Sequence, residues 1–227
     1  MKKSTLIIVT VLCLGLGSGT ACQNQQPTPA GPSVTAAATE APLAAQPEPP
    51  GPGAPPMSGE GQSGPALDAS KPAPDFALKS ISGESLHLAD LLKKGPVLLV
   101  FYKVECPTSA VALPKYETFQ KAYQGKGGFS VVGIVQNTTP EIAAYVKQNN
   151  LTFPHAEDVG YSVSRAYGIR NTPTLVLLDN DGKAVNTVAG WNRAQSNAVS
   201  KAVAGMTGAP YQDISTESDG LPGFRPG

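Results

Sequence analysis

The chain has 227 residues, with 17 Lys and Arg balanced by 17 Asp and Glu, so its formal charge is zero. That balance excludes the broad basic or acidic face that nucleic acid or a highly charged substrate would call for. The length suits one ordinary domain plus an extra segment, and the 22 prolines and 24 glycines crowd into the first third and the last few residues, which places the boundaries there.

Residues 1–21 read as a secretion signal: Lys2 and Lys3 precede an apolar run from Leu6 to Leu16, then small residues lead to Ala21 and Cys22. The run falls short of the about 20 residues a bilayer crossing takes. Cys13 sits inside it as a small hydrophobe. Cys22, after Gly19, Thr20 and Ala21, resembles the bacterial lipoprotein cleavage box, in which the cysteine becomes the lipidated first residue. The departure is Gly19, where that pattern usually has leucine. The resemblance implies export across the inner membrane and a cell-envelope lipoprotein, held to a membrane by lipid on Cys22. Residues 22–70 are rich in Pro, Ala, Gly, Gln, Ser and Thr, with almost no large apolar side chain. Such a stretch cannot bury enough surface to offset its ordering entropy, so a disordered tether is expected, at ~3.1 Å per residue where extended.

From 71 to 207 strand and helix patterns alternate, the signature of an α/β domain with a central sheet flanked by helices. Asp75–Lys79 and Glu84–Leu88, with Gly83 between them, predict a leading hairpin. Val97–Tyr102 is a continuous apolar run, as a strand buried on both faces requires. Helix signals run from Pro107 to Tyr123, with Pro114 inside the pattern expected to kink it. Phe129–Val135 predicts a second buried strand, and Thr139–Pro140 opens a helix. A short strand near Leu151–Phe153 and a helix over Val159–Tyr167 follow. Thr174–Leu178 and Ala184–Val188 predict a hairpin across Asn180–Gly182, and a last helix covers Ala194–Ala204. Residues 208–227 regain Ser, Gly and Pro and predict an irregular C-terminal tail.

The chemistry centres on Cys106, at the end of the apolar strand and immediately before Pro107. A thiol at the amino end of a helix meets unused backbone N–H groups and the positive end of the helix dipole, and both favour thiolate. Proline suits the first helical position, where its missing N–H is not needed. The alternative is an inert cysteine closing a core strand. Ser109 stands three residues on, where a two-cysteine redox site carries its resolving thiol.

The Cys106–Ser109 segment and the later run from Ala166 through Pro173 to Lys183, in that order and separation, resemble the thioredoxin-like family. The branch is that of redoxins and thiol–disulfide oxidoreductases, with a single-cysteine site; the AhpC/TSA-like peroxiredoxins are the near relatives. The resemblance implies a thioredoxin-like fold, a cis peptide bond before Pro173, and a loop in which Thr172 and Pro173, with Pro107, offer substrate contacts beside Cys106. In thioredoxins a buried acid or polar group often occupies the place of Val100, and a tryptophan that of Glu105. Glu105 opposes ionisation of the thiol and Lys103 favours it. Peroxiredoxins carry a threonine at the place of Lys103 and an arginine near that of Arg170.

A hydroxyl at Ser109 cannot resolve a mixed disulfide, although it can donate a hydrogen bond to the thiolate. Three chemistries then stay open for Cys106. It can form a lasting mixed disulfide with a protein or a small thiol, reshuffle disulfides that the substrate itself resolves, or be oxidised by peroxide and rescued by an outside thiol. A fourth possibility is a binding domain without catalysis. No cofactor or metal is expected: His87 and His155 read as surface or half-buried strand residues, and no spacing of Cys, His and carboxylates resembles a zinc site. Trp191 reads as packing against the last helix.

Overall fold

A computed structural model describes residues 67–227. The expected signal segment, Cys22 and residues 22–66 of the tether lie outside them. The fold is built on Val97–Tyr102 (β3), whose six residues are all buried. This strand runs parallel to Ser130–Val135 (β4) and antiparallel to Thr174–Leu178 (β6). His155–Glu157 (β5) continues the parallel side, and Ala184–Ala189 (β7) the antiparallel side, in the order β5-β4-β3-β6-β7. Ala77–Lys79 (β1) and Ser85–His87 (β2) form the leading hairpin.

Alternation along β3 explains the layers. Leu98, Val100 and Tyr102 face one core with Leu113, Tyr116 and Phe119 of Pro107–Tyr123 (α2) and Val199 and Val203 of Arg193–Thr207 (α5). Val97, Leu99 and Phe101 face the other core with Phe76, Leu88 and Val163. Leu88 opens the short helix Leu88–Leu92 (α1), which the composition does not announce, and Val163 lies on Ser162–Ala166 (α4). Burying each such Val, Leu or Phe contributes about 1.5–3 kcal/mol, which is why a strand whose one polar side-chain atom is the Tyr102 hydroxyl sits at the centre of the sheet. The result is a mixed α/β thioredoxin-like fold. No helix among the described residues is long and apolar enough to cross a membrane.

Several boundaries differ from the pattern. The strand expected at Leu151–Phe153 is a loop, and the pairing begins at His155, after Pro154. Leu151 and Phe153 are buried there as loop side chains, and the Pro154 carbonyl accepts the N–H of Gly133 at 2.8 Å. Thr139–Asn149 (α3) begins with a reciprocal cap between Thr138 and Glu141. The helix expected from Val159 is shorter, because the Asp158 carboxylate takes the N–H groups of Val163 and Ser164 and sets its start. α2 continues through Pro114.

His155 is a correction: it is neither on the surface nor half-buried but 1% exposed. Its Nδ1 lies 2.9 Å from the Tyr102 hydroxyl, and burial pushes the imidazole down to about 3. The ring fits because position 133 is glycine; a Cβ there would stand 2.5 Å from His155 Nδ1. His87, by contrast, lies 2.9 Å from the Asp75 carboxylate in an exposed contact.

The backbone of residues 209–227 is largely irregular, yet it is tied to the domain along its length. Phe224–Arg225 (β9) pairs antiparallel with Trp191–Asn192 (β8). Asn197 on α5 receives the N–H of Ile214 at 2.9 Å and donates to Ser215 O at 2.9 Å. Ser200 donates to Gln212 O, Lys115 pairs with Asp219 at 2.8 Å, and Arg193 donates to Leu221 O. Trp191 is fully buried; its ring packs 6.0 Å from that of Tyr116, and its Nε1–H donates to Pro222 O at 2.7 Å.

Candidate active site

β3 ends at Tyr102, and the chain turns through Lys103, Val104 and Glu105 before α2. Cys106 is the N-cap of α2, with extended backbone angles, and its carbonyl accepts the N–H of Ala110 at 3.1 Å. Its side chain makes no cap bond, so the N–H groups of Thr108 and Ser109 at the second and third helical positions have no intrahelical acceptor. The loop before β6 closes the other side: the Thr172–Pro173 peptide bond is cis, and the Cys106 S–H donates to Thr172 O at 3.0 Å.

The half-buried sulfur is subject to opposing influences. Burial pushes its pKa up, while the Ser109 N–H, the Ser109 hydroxyl, the Thr172 side chain and the Thr108 N–H, as donors to the thiolate, pull it down. The balance lies below the ordinary thiol value. The Ser109 hydroxyl is fully buried and without a partner while Cys106 is a thiol. Ionisation turns the sulfur from a donor to Thr172 O into an acceptor, and the Ser109 hydroxyl and the two helix N–H groups then have a use. Cys106 alkylation by iodoacetamide should therefore rise with pH to a plateau whose midpoint lies below the ordinary 9.0. Below about pH 8 it should outpace an unstructured cysteine peptide of the same local sequence. A midpoint equal to that of the peptide would remove the activated thiol.

Among the other residues expected at the site, Pro107 is exposed at the first helical position and Pro173 is buried in its loop. Glu105 is exposed, and its Oε1 accepts from Asn137 Nδ2 at 2.7 Å; Asn137 Oδ1 in turn accepts the N–H of Val104 at 3.0 Å. Buried Asn137 thus pins the turn that carries the cysteine. Lys103 turns to Tyr161, with its Nζ 5.5 Å from the ring centre. Arg170 lines a cavity with Leu67, Tyr167 and Thr187 that does not include Cys106.

Two neighbours escape sequence reasoning. The ring of Tyr145 on α3 packs tilted against that of Tyr102, centres 6.0 Å apart; burial pushes its phenol up, and the charge on Cys106 pushes it further. Its hydroxyl is buried without a partner. Thr108 donates from Oγ1 to Pro226 O at 2.7 Å. Neither has a local signal, since each acquires its place from residues far away in the chain.

The profile of the AhpC/TSA family matches residues 69–186, more than half of the chain. The chain belongs to the AhpC/TSA family. Within it, the chain is 33% identical over 124 residues to a thiol-disulfide oxidoreductase ResA of Halalkalibacterium halodurans, covering 54% of this chain and 69% of that protein. A ResA of Bacillus anthracis is 31% identical over 124 residues, covering 55% of this chain and 71% of that protein. A crystal structure from Chlorobium tepidum, put forward as thiol:disulfide interchange protein DsbE, superposes with a TM-score of 0.58 at 28% identity, over 63% of this chain and 99% of that one. This AhpC/TSA member therefore falls with the thiol-disulfide oxidoreductases of the ResA and DsbE kind, and redox enzymes are its relatives.

Proposed function

We propose that the chain is an extracytoplasmic thiol–disulfide oxidoreductase that works through Cys106 alone. The observation that carries the reading is the half-buried thiol at the amino end of α2, faced by Ser109 rather than by a second thiol. In the first step the Cys106 thiolate attacks one sulfur of a substrate disulfide. A bond from Sγ to that sulfur forms as the substrate's S–S bond breaks, and the other sulfur leaves as a thiolate that takes a proton from water. An external thiolate then attacks the mixed disulfide and releases Cys106 unchanged, so the net result is exchange of one disulfide for another. Thr108 and Ser109 N–H groups and the Ser109 hydroxyl hold the thiolate, and Thr172 with Pro173 and Pro107 frames the sulfur that arrives.

Export is supported by Lys2, Lys3 and the apolar run that precedes Ala21, and attachment through lipid by Cys22. Partners are then disulfide-bearing proteins or small thiols in the cell envelope. Lys103, at the place where peroxiredoxins carry a threonine, favours exchange over peroxide reduction. Ser109→Cys tests the single-thiol mechanism. The variant should form an internal disulfide between Cys106 and the introduced thiol, with loss of two hydrogens by mass. It should also release a disulfide-bound small thiol without an external one. The parent chain should instead retain the adduct until thiol is added. Spontaneous release by the parent would defeat the reading.

A further inference from the structure

Residues Phe224–Gly227 lie against the groups that border Cys106. Thr108, two residues beyond the cysteine, holds Pro226 O at 2.7 Å, and Asn171 Nδ2 holds Gly227 O at 3.1 Å. Gly227 is so close to the cis-proline loop that a Cβ on it would stand 2.6 Å from Thr172 O, the same carbonyl that takes the Cys106 S–H. On the other side, a Cβ on Gly190 would meet Arg225 O at 2.6 Å and Gly227 N at 2.8 Å. The segment thus fills the space between the start of α2, the 171–172 loop and the 190 turn. Phe224 is 60% exposed, so burial of its side chain is not what holds the segment here. Backbone acceptors held by domain side chains, and the β8–β9 pairing, are.

We infer that the 224–227 strap determines substrate class: it takes the place an extended polypeptide would need beside Thr172, and so directs Cys106 to small disulfides. This rests on the exchange chemistry proposed above and narrows it. A small disulfide needs one open approach to a half-buried sulfur. A polypeptide lying along the 171–172 loop needs the strap gone, which breaks the Thr108 and Asn171 contacts and the pairing at Trp191.

The test uses alkylation of the full chain, so it does not depend on exchange activity. Two reagents are compared: iodoacetamide, and an extended peptide carrying an iodoacetyl group in mid-sequence. Relative to a free cysteine peptide, Cys106 should discriminate against the peptide reagent by about tenfold. Gly227→Ala, whose methyl meets Thr172 O, and Asn171→Ala should each restore most of that factor while leaving the iodoacetamide rate within about twofold. Trp191, the one tryptophan in the sequence, reports the strap directly. Its emission should shift when the parent is labelled with the peptide and stay fixed when it is labelled with iodoacetamide. Absence of discrimination in the parent, or an unmoved Trp191 emission in the peptide-labelled parent, would overturn the inference whatever the variants do.

Discussion

Cys106→Ser should lower disulfide exchange by about a thousandfold or more, the scale on which covalent enzymes respond to loss of their nucleophile. A serine hydroxyl does not ionise at neutral pH and cannot form the mixed disulfide. The same variant should fold at least as well as the parent. Cys106 is the N-cap of α2 and makes no side-chain cap bond, whereas serine accepts from the N–H groups at the second and third positions. A gain of about 1 kcal/mol in unfolding free energy is the expected scale. The two readouts move in opposite directions, which separates a chemical loss from a collapsed fold. Exchange that survived in a folded Cys106→Ser protein would leave only a binding role for the site.

Acid should weaken the domain through His155 before its carboxylates titrate. The imidazole is buried and neutral in the folded protein, titrating at about 3, and returns to about 6.5 on unfolding. Between those values the unfolded chain binds a proton that the folded one does not. Stability is therefore full above pH 6.5 and falls as pH drops through the window, by at most about 1.4 kcal/mol per pH unit. From about pH 6.5 to 5 the carboxylates remain largely ionised, so a decline there belongs to histidine. Denaturant unfolding at several pH values reads it out. His155→Asn should start from a lower plateau, having lost the fit beside Gly133 and Tyr102, and should show a flatter profile across the window. An equally steep decline in the variant would assign the acid response elsewhere.

Much of this architecture is visible in local pattern. Val97–Tyr102 and Phe129–Val135 are apolar almost without interruption, and a run of that kind has few places to go except the middle of a sheet. Cys106 followed by Pro107 announces a helix start, and the helix that follows supplies the unused N–H groups. What the pattern misses is set at a distance. Leu151 and Phe153 look like a strand because they are apolar, but the ladder is decided by Gly133 and by the Pro154 carbonyl to which its N–H donates. His155 is read as half-exposed because nothing beside it in sequence reveals the space above Gly133. Asn137 reaches the active turn from the end of β4, and Tyr145 from α3, with no motif to join either of them to Cys106.

The bonds that guide residues 212–227 converge on main-chain carbonyls: Gln212, Ser215, Leu221, Pro222, Pro226 and Gly227 each offer an oxygen to a side chain of the body. Every amino acid carries that oxygen. The route of the segment is therefore written largely into its hosts, Thr108, Asn171, Trp191, Arg193, Asn197 and Ser200, while the segment's own letters are free to drift except at its glycines, at Ile214 in the core and at Asp219 opposite Lys115. Two proteins could share this route with dissimilar letters along it, and the host positions would be what reveals the kinship.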